Sequence, residues 1–403
     1  MRVLLVHNYY QQPGGEDRVF ADERDMLRAW RHDVVEFTQH NDSLGAAGGV
    51  SAALSAIWNN AAYHRVRTIL RQSATAVMHC HNTFPLVSPS VFSAARAEGV
   101  AVIQTLHNYR LMCPAALLYR EGRPCERCVG HAVAWHGIAH GCYRGSRAAT
   151  AATSLANAIH RFAGTWTRQV DLYIAPSEFA KRKLVEGGLP ADAIVVKPHF
   201  VHPDPGFGAA DGGYALFVGR LAAGKGIETL LTAWQELGRT IPLCIVGDGP
   251  LAPVVAAAAA ASPAIRWVGR RAPDEVSQLM GRASVLIFPS EFYETFGRTV
   301  IEAFACGTPV IASNIGAAGE LVDDGRTGRL FTAGDPRSLV QQVVALLEHP
   351  AEMKLMRREA RAEFASRYTM AENYELLRAI YERAARSSQS SARFARSVEP
   401  AVP

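Results

Sequence analysis

Ser290-Glu291-Phe292-Tyr293-Glu294-Thr295-Phe296-Gly297-Arg298-Thr299-Val300-Ile301-Glu302-Ala303-Phe304-Ala305-Cys306-Gly307-Thr308-Pro309-Val310-Ile311-Ala312 reads as a loop, a helix and the strand after it. An apolar strand, Val285–Phe288, leads in. The helix is expected to begin near Gly297. Gly307 stops it as a left-handed terminator, and Pro309 opens the next strand. Outward from this unit the same alternation repeats. Strands are expected at Tyr214–Val218, Leu243–Val246 and Ile265–Trp267, with helical segments between them. Further back, Val3–His7, Ala76–His79, Ala101–Thr105, Leu172–Ala175 and Ile194–Lys197 read as strands. After the first of these, Val19, Phe20, Met26, Leu27 and Trp30 fall at helical spacing. Strands that are apolar along their whole length, alternating with helices, point to parallel sheets covered on both faces.

The breaker-rich stretch His202-Pro203-Asp204-Pro205-Gly206-Phe207-Gly208 interrupts the pattern. The chain is therefore expected to be α/β, with two doubly wound domains facing across a cleft, residues 1–205 and 206–370. Such sheets bind ligands at the carboxyl ends of their strands. Residues 371–386 form a last helix, expected to pack back on the first domain. Residues 387–403, rich in Ser, Arg and Pro, are expected to be a disordered tail.

A chain of 403 residues is too long for one ordinary core. With 49% apolar and 20% charged residues it falls outside the disordered and fibrous classes. No apolar run reaches the roughly 18 residues that a membrane-spanning helix needs. The N-terminus reads as a strand that starts at once, so a cytoplasmic location is expected. The net charge of +5 lies wholly in the first half, with 21 Lys and Arg against 16 Asp and Glu up to Pro205 and 21 of each after it. Arg144, Arg147, Arg161, Arg168 and Lys181-Arg182-Lys183 form either a solvated face or a surface drawn to anionic lipid or an acidic acceptor.

Several loops at strand ends carry groups suited to an anion and a sugar. The backbone N–H groups of Thr295, Phe296 and Gly297 are donors at a helix start, fit for hydroxyls or phosphate oxygens. Glu294 lies beside them, and Glu302 lies further along the helix, where a carboxylate can accept two bonds from a ribose diol. Gly219-Arg220-Leu221-Ala222-Ala223-Gly224-Lys225-Gly226 offers a guanidinium fork at Arg220 and a compact charge at Lys225, a combination suited to pyrophosphate. Val268 and Asp248 sit at neighbouring strand ends; Asp248 reads as a helix cap. In the first domain, Gly14 and Gly15 let a phosphate or an acceptor hydroxyl approach, with Glu16 and Asp17 favouring the hydroxyl. His107 ends a strand, either facing the cleft or held as a hydrogen-bonded loop residue.

Of seven cysteines, Cys80, Cys244 and Cys306 read as small buried hydrophobes. Cys113, Cys125, Cys128 and Cys142 fall close together, with His131, His136 and His140 among them. Four thiolates suffice for a structural zinc. Reduced free thiols and redox or iron–sulfur chemistry are the other readings of this segment.

The sequence resembles the family 4 glycosyltransferases. Glu294 and Glu302 match that family's paired-glutamate motif, Gly307-Thr308-Pro309-Val310 matches the segment immediately after that motif, and Arg220 with Lys225 matches its diphosphate-binding motif. The resemblance runs to about Ala385 and is strongest over Tyr214–Phe331. It implies the GT-B fold, two facing Rossmann-like domains with a cleft between them. It also implies that Glu294 lies by the transferred sugar, Glu302 on the ribose, Val268 near the base, and His107 on the donor sugar. The implied activity is retaining transfer of a hexose-type sugar from a UDP- or GDP-sugar to an acceptor hydroxyl, in surface polysaccharide or glycolipid assembly. With two cations at the leaving group, no catalytic metal is expected. The expected partners are the nucleotide-sugar donor and a saccharide or lipid-linked saccharide acceptor, with peripheral membrane association and no nucleic acid. The alternatives are another GT-B enzyme, such as a nucleotide-sugar epimerase or a sugar phosphorylase, and a non-catalytic sugar-nucleotide binder.

Overall fold

The computed structural model describes residues 1–12, 14–43 and 48–398. By its contacts the chain divides into two compact units. The first comprises Met1–Leu117, Glu126–Lys197 and the chain from Tyr374 onward; the second comprises Leu118–Cys125 and Pro198–Asn373.

The first unit is built on β1 (Arg2–Tyr9), β2 (Asp33–His40), β3 (Val77–Cys80), β4 (Ala101–Thr105), β5 (Leu172–Ala175) and β6 (Ile194–Val196). All pair in parallel, in the order β2-β1-β3-β4-β5-β6. Val3, Leu4, Leu5 and Val6 are wholly buried, because helices cover both faces of a central parallel strand. The order reverses between β1 and β3, so the carboxyl ends of these strands splay apart and leave room above them.

The second unit repeats the plan with β7 (Ala215–Val218), β8 (Leu243–Val246), β9 (Ile265–Trp267), β10 (Val285–Phe288), β11 (Val310–Ser313) and β12 (Gly328–Phe331). Their order is β9-β8-β7-β10-β11-β12, again all parallel. Strand period two sends alternate side chains to opposite faces. Leu216, Val246, Leu286 and Phe288 pack with Val300, Phe304 and Phe364 on one face. Phe217, Ile245 and Ile287 pack with Leu230, Trp234 and Leu339 on the other. Here the order reverses between β7 and β10.

The sequence pattern leaves out β2 and β12. Both are edge strands, only partly buried and so less uniformly apolar than the interior runs. The last helix spans Met370–Val398. It therefore continues through most of the stretch expected to be a disordered tail, and residues 399–403 lie outside the described residues. Within the first unit, Tyr374 stacks on Trp30 at 4.5 Å and the Tyr381 hydroxyl lies 2.8 Å from His79 Nδ1.

Candidate active site

Two loops meet at the reversal point of the second sheet, one after β7 and one after β10. Gly226 has φ +69°, and a Cβ there would lie 1.9 Å from the Pro289 carbonyl oxygen. Gly247, after β8, has φ +139°, and a Cβ there would lie 1.8 Å from the Gly219 carbonyl oxygen. Only glycine lets the three strand-end loops approach this closely. The N–H of Glu291 donates to the Gly224 carbonyl at 2.7 Å, tying the two reversal-point loops together.

That contact brings Lys225 to Glu294. Lys225 Nζ lies 2.5 Å from Glu294 Oε1, and the Ser290 hydroxyl donates to the same oxygen at 2.8 Å. Lys225 also sits over the Phe292 ring, 5.1 Å from its centroid. Thr229 Oγ1 donates to Glu291 Oε1 at 2.5 Å. Arg220 is exposed at the start of the same loop. Glu302 is paired instead with Arg298, one turn back on the helix Arg298–Ala305, at 2.8 Å. An arginine in a first turn opposes the helix dipole; the Glu302 carboxylate offsets that cost. Val268 follows β9, its N–H donating to the Ile245 carbonyl at 3.0 Å.

The helix begins at Arg298, with Gly297 as its cap. This places the start one residue beyond Thr295, Phe296 and Gly297. The Phe296 side chain is buried against His199, ring centroids 4.9 Å apart, so this residue offers only its backbone outward. Sequence reasoning missed Tyr119. Its two-residue ladder, Tyr119–Arg120 with Arg123–Pro124, belongs to the second unit. The Tyr119 ring meets Phe292 edge-on at 6.2 Å, and a Cβ on Gly224 would lie 3.2 Å from it.

In the first unit, Gly14 caps the helix Gly15–Ala29. Its N–H donates to Asp17 Oδ2 at 2.7 Å, and Asp17 Oδ1 lies 2.7 Å from His7 Nε2. The Gly14 N–H is thus committed to Asp17. A Cβ on Gly15 would meet nothing within 4 Å. Glu16 accepts from Asn108 Nδ2 at 3.1 Å, and burial pushes its carboxyl up to about 7. His107 lines a cavity with His81, Asn82, Thr105, Arg110 and Asn157. Its ring stacks on His81 at 5.3 Å. The signal for His81 was in the sequence: in His79-Cys80-His81 one histidine lies in a buried strand and the second, two residues on, just past its end.

Cys113, Cys125, Cys128 and Cys142 are the residues proposed for a structural zinc. Among the described residues the seven cysteines form no disulfide. Among the described residues, the His, Cys, Asp and Glu side chains that gather three donors at ligand spacing are Glu23, His79 and His81. Cys125 closes the Tyr119–Pro124 ladder by donating to the Leu118 carbonyl at 2.7 Å, whereas Cys113 closes a turn on the Tyr109 carbonyl at 2.8 Å.

Residues 13–205 match a family model described as Glycosyltransferase Family 4, and residues 212–349 match one described as Glycosyl transferases group 1. The chain belongs to the family 4 glycosyltransferases. It is 30% identical over 218 residues to an uncharacterized glycosyltransferase of Methanocaldococcus jannaschii, covering 54% of this chain and 60% of that one. It is 31% identical over 233 residues to a phosphatidyl-myo-inositol mannosyltransferase of Mycobacterium leprae, covering 55% and 62%. Its match to the glycogen synthase of Mycobacterium tuberculosis is 36% identical and covers 38% of each chain. The chain thus spans less than two thirds of the length of these curated relatives. Among solved structures, HepE of Anabaena in complex with UDP superposes with a TM-score of 0.67 at 17% identity, over 95% of this chain and 100% of that one. A glycosyltransferase from Rickettsia africae superposes with a TM-score of 0.69 at 16% identity, over 95% and 98%. At such identities the likeness is one of fold, and that fold is GT-B.

Proposed function

We propose that this glycosyltransferase transfers a hexose-type sugar from a nucleoside diphosphate donor to a hydroxyl of a saccharide or lipid-linked saccharide, with retention at the anomeric carbon. The observation that carries this reading is the cluster of Lys225, Glu294 and Ser290 at the reversal point of the second sheet, with Arg220 on the same loop. This is where an open parallel sheet receives a nucleotide. In this reading Arg220 and Lys225 hold the diphosphate, Glu302 accepts the ribose hydroxyls, Val268 lies beside the base, and the backbone at Thr295, Phe296 and Gly297 meets phosphate or sugar oxygens. Glu294 and His107 contact the transferred sugar. Gly15 leaves room for the acceptor.

As the bond from the anomeric carbon to the diphosphate breaks, negative charge grows on the leaving oxygen. Two preset cations stabilise that charge more than they stabilise the bound donor, which is the condition for lowering the barrier. Such a site works without a catalytic metal. HepE of Anabaena has also been solved in complex with UDP-glucose, which supports a uridine donor alongside the guanosine alternative.

Association with a membrane surface is supported by one face of the first unit. Leu155, Ile159 and Phe162 are exposed along the helix Arg147–Phe162, and Leu54 and Trp58 are exposed on and just after the helix Gly48–Ile57, which packs against it. Arg144, Arg147 and Arg168, at or just beyond the ends of the helix Arg147–Phe162, are exposed as well. Apolar side chains rimmed by arginine suit an anionic bilayer.

The test is a screen of UDP- and GDP-sugars for thermal stabilisation of the wild type, Glu302→Ala and Arg220→Ala, followed by assay of nucleoside diphosphate release with an acceptor. Stabilisation of the wild type by one donor, weakened in both variants, is expected. If no nucleotide sugar stabilises the wild type, the reading is wrong.

A further inference from the structure

Five ionisable side chains crowd the interior of the first unit, below the cavity that His107 lines. Glu23 and Lys197, 0% and 1% exposed, form an ion pair at 2.7 Å. His7, His79 and His81 are wholly or almost wholly buried around them. Stripping water from two charges costs several kcal/mol, and an apolar pair of similar volume commonly serves stability as well. The geometry suggests a different return.

Lys197 occupies Glu23 Oε1. The other oxygen, Oε2, is buried without a hydrogen-bond partner, 3.5 Å from His81 Nε2 and 3.8 Å from His79 Nδ1. His79 is already engaged at both nitrogens, with the Tyr381 hydroxyl at 2.8 Å and Thr105 Oγ1 at 2.8 Å. His81 Nε2 is likewise buried without a hydrogen-bond partner, so Glu23 Oε2 is the acceptor it faces. Its other nitrogen, Nδ1, lies 3.1 Å from His107 Nε2. The three donors Glu23, His79 and His81 have the spacing of a metal site. Both nitrogens of His79 are taken by hydroxyls, however, and an ammonium already balances the carboxylate, so a cation does not fit.

Burial drives His81 and His107 well below the ordinary histidine range, so each ring is neutral and carries one proton. Two arrangements satisfy the contact between the rings. If His81 carries its proton on Nδ1, its Nε2 lone pair faces the carboxylate, acceptor against acceptor in a dry interior. If the proton is on Nε2, it points at Glu23, and Nδ1 accepts from His107. The second arrangement removes the repulsion.

We infer that Glu23 and His81 are positioning residues that set the tautomer of His107, with its proton on Nε2 and its lone pair on Nδ1. A ring fixed in this form accepts a hydrogen bond from a hydroxyl; it does not donate one to an oxygen. It is therefore matched to a sugar hydroxyl and not to a phosphate. This rests on the sugar-transfer reading above.

The test is long-range proton–nitrogen correlation on the full chain labelled with nitrogen-15 histidine, assigned with His107→Gln. For His107, Nε2 is expected in the protonated range and Nδ1 in the unprotonated range; the reverse pattern overturns the inference. Glu23→Gln paired with Lys197→Met, which keeps the interior neutral, is expected to mix the tautomers. It should lower kcat about tenfold, less than the roughly hundredfold loss when a proton-handling group is removed outright, with the donor KM changed less than about twofold. A double variant that folds and keeps both the wild-type tautomer and kcat also overturns it. If the double variant does not fold, the wild-type spectrum alone decides. The spectrum needs no substrate, so a failure of donor binding in the thermal screen is a separate result.

Discussion

Lys225 Nζ sits 2.5 Å from Glu294 Oε1. The cation proposed for the diphosphate and the carboxylate proposed for the sugar neutralise each other when no donor is bound. A donor must draw Lys225 away from Glu294, and that exchange releases the carboxylate toward the sugar. Partly exposed ion pairs are worth about 0–1 kcal/mol, so the exchange costs little.

Glu294→Gln therefore separates binding from chemistry. Nucleoside diphosphate affinity should hold or improve by up to about fivefold, since at most about 1 kcal/mol of competition is removed. Transfer should fall by about a hundredfold or more, the scale of losing a group that acts in the transition state. Calorimetry and a coupled release assay read the two effects. Weaker binding with unchanged turnover would assign Glu294 to the diphosphate.

Glu302→Ala removes an acceptor proposed for two ribose hydroxyls and leaves Arg298 without its helical partner. Hydrogen bonds to a charged group are worth about 1.5–3 kcal/mol, so donor affinity should drop at least about tenfold. Arg298→Ala serves as the control. If it weakens binding as much as Glu302→Ala does, the pair matters as a unit and Glu302 has no direct ribose role.

Leu155→Ser combined with Phe162→Ser reports on the membrane face. Each lost side chain carries about 1.5–3 kcal/mol of burial. Sedimentation with vesicles of phosphatidylglycerol and phosphatidylethanolamine should fall at least about tenfold, and raising the salt should weaken wild-type binding. Equal sedimentation of variant and wild type would remove the membrane from the account.

The buried ionisable groups give stability a pH dependence of two signs. Burial pushes His79 down to about 4 and His81 and His107 well below 6.5. The unfolded chain then binds protons that the folded chain refuses. Stability present above pH 6.5 is lost as pH falls from there toward about 4. Glu16, raised to about 7 by burial, acts oppositely. The folded chain keeps a proton that the unfolded chain has released, so its contribution is present below about pH 4.5 and lost as pH rises through 7. Thermal melts should show Glu16→Gln more stable than wild type at about pH 8 and no more stable at about pH 5. The same difference at both values would assign Glu16 a charge-independent role.

Much of this was legible in the sequence because interior parallel strands are uniformly apolar and their loops punctuated by glycine. The loops carrying Lys225 and Glu294 follow such strands, and the sheet order brings them together. The pairing of Glu302 with Arg298 was less visible, since an i,i+4 pair is common on any helix. The Glu23–His81–His107 chain joins a helix residue to residues just past the ends of two strands, and only the strand register reveals it. The cysteine segment was the least legible, because spacing along the chain does not report where each thiol points.

The most direct measurement is calorimetric titration of UDP and GDP into wild type, Lys225→Met and Arg220→Met. One nucleotide is expected to bind the wild type and to bind each variant at least about tenfold more weakly, as loss of a charge-assisted contact requires. No binding by either nucleotide, or affinities unchanged by both substitutions, would contradict the proposed diphosphate site.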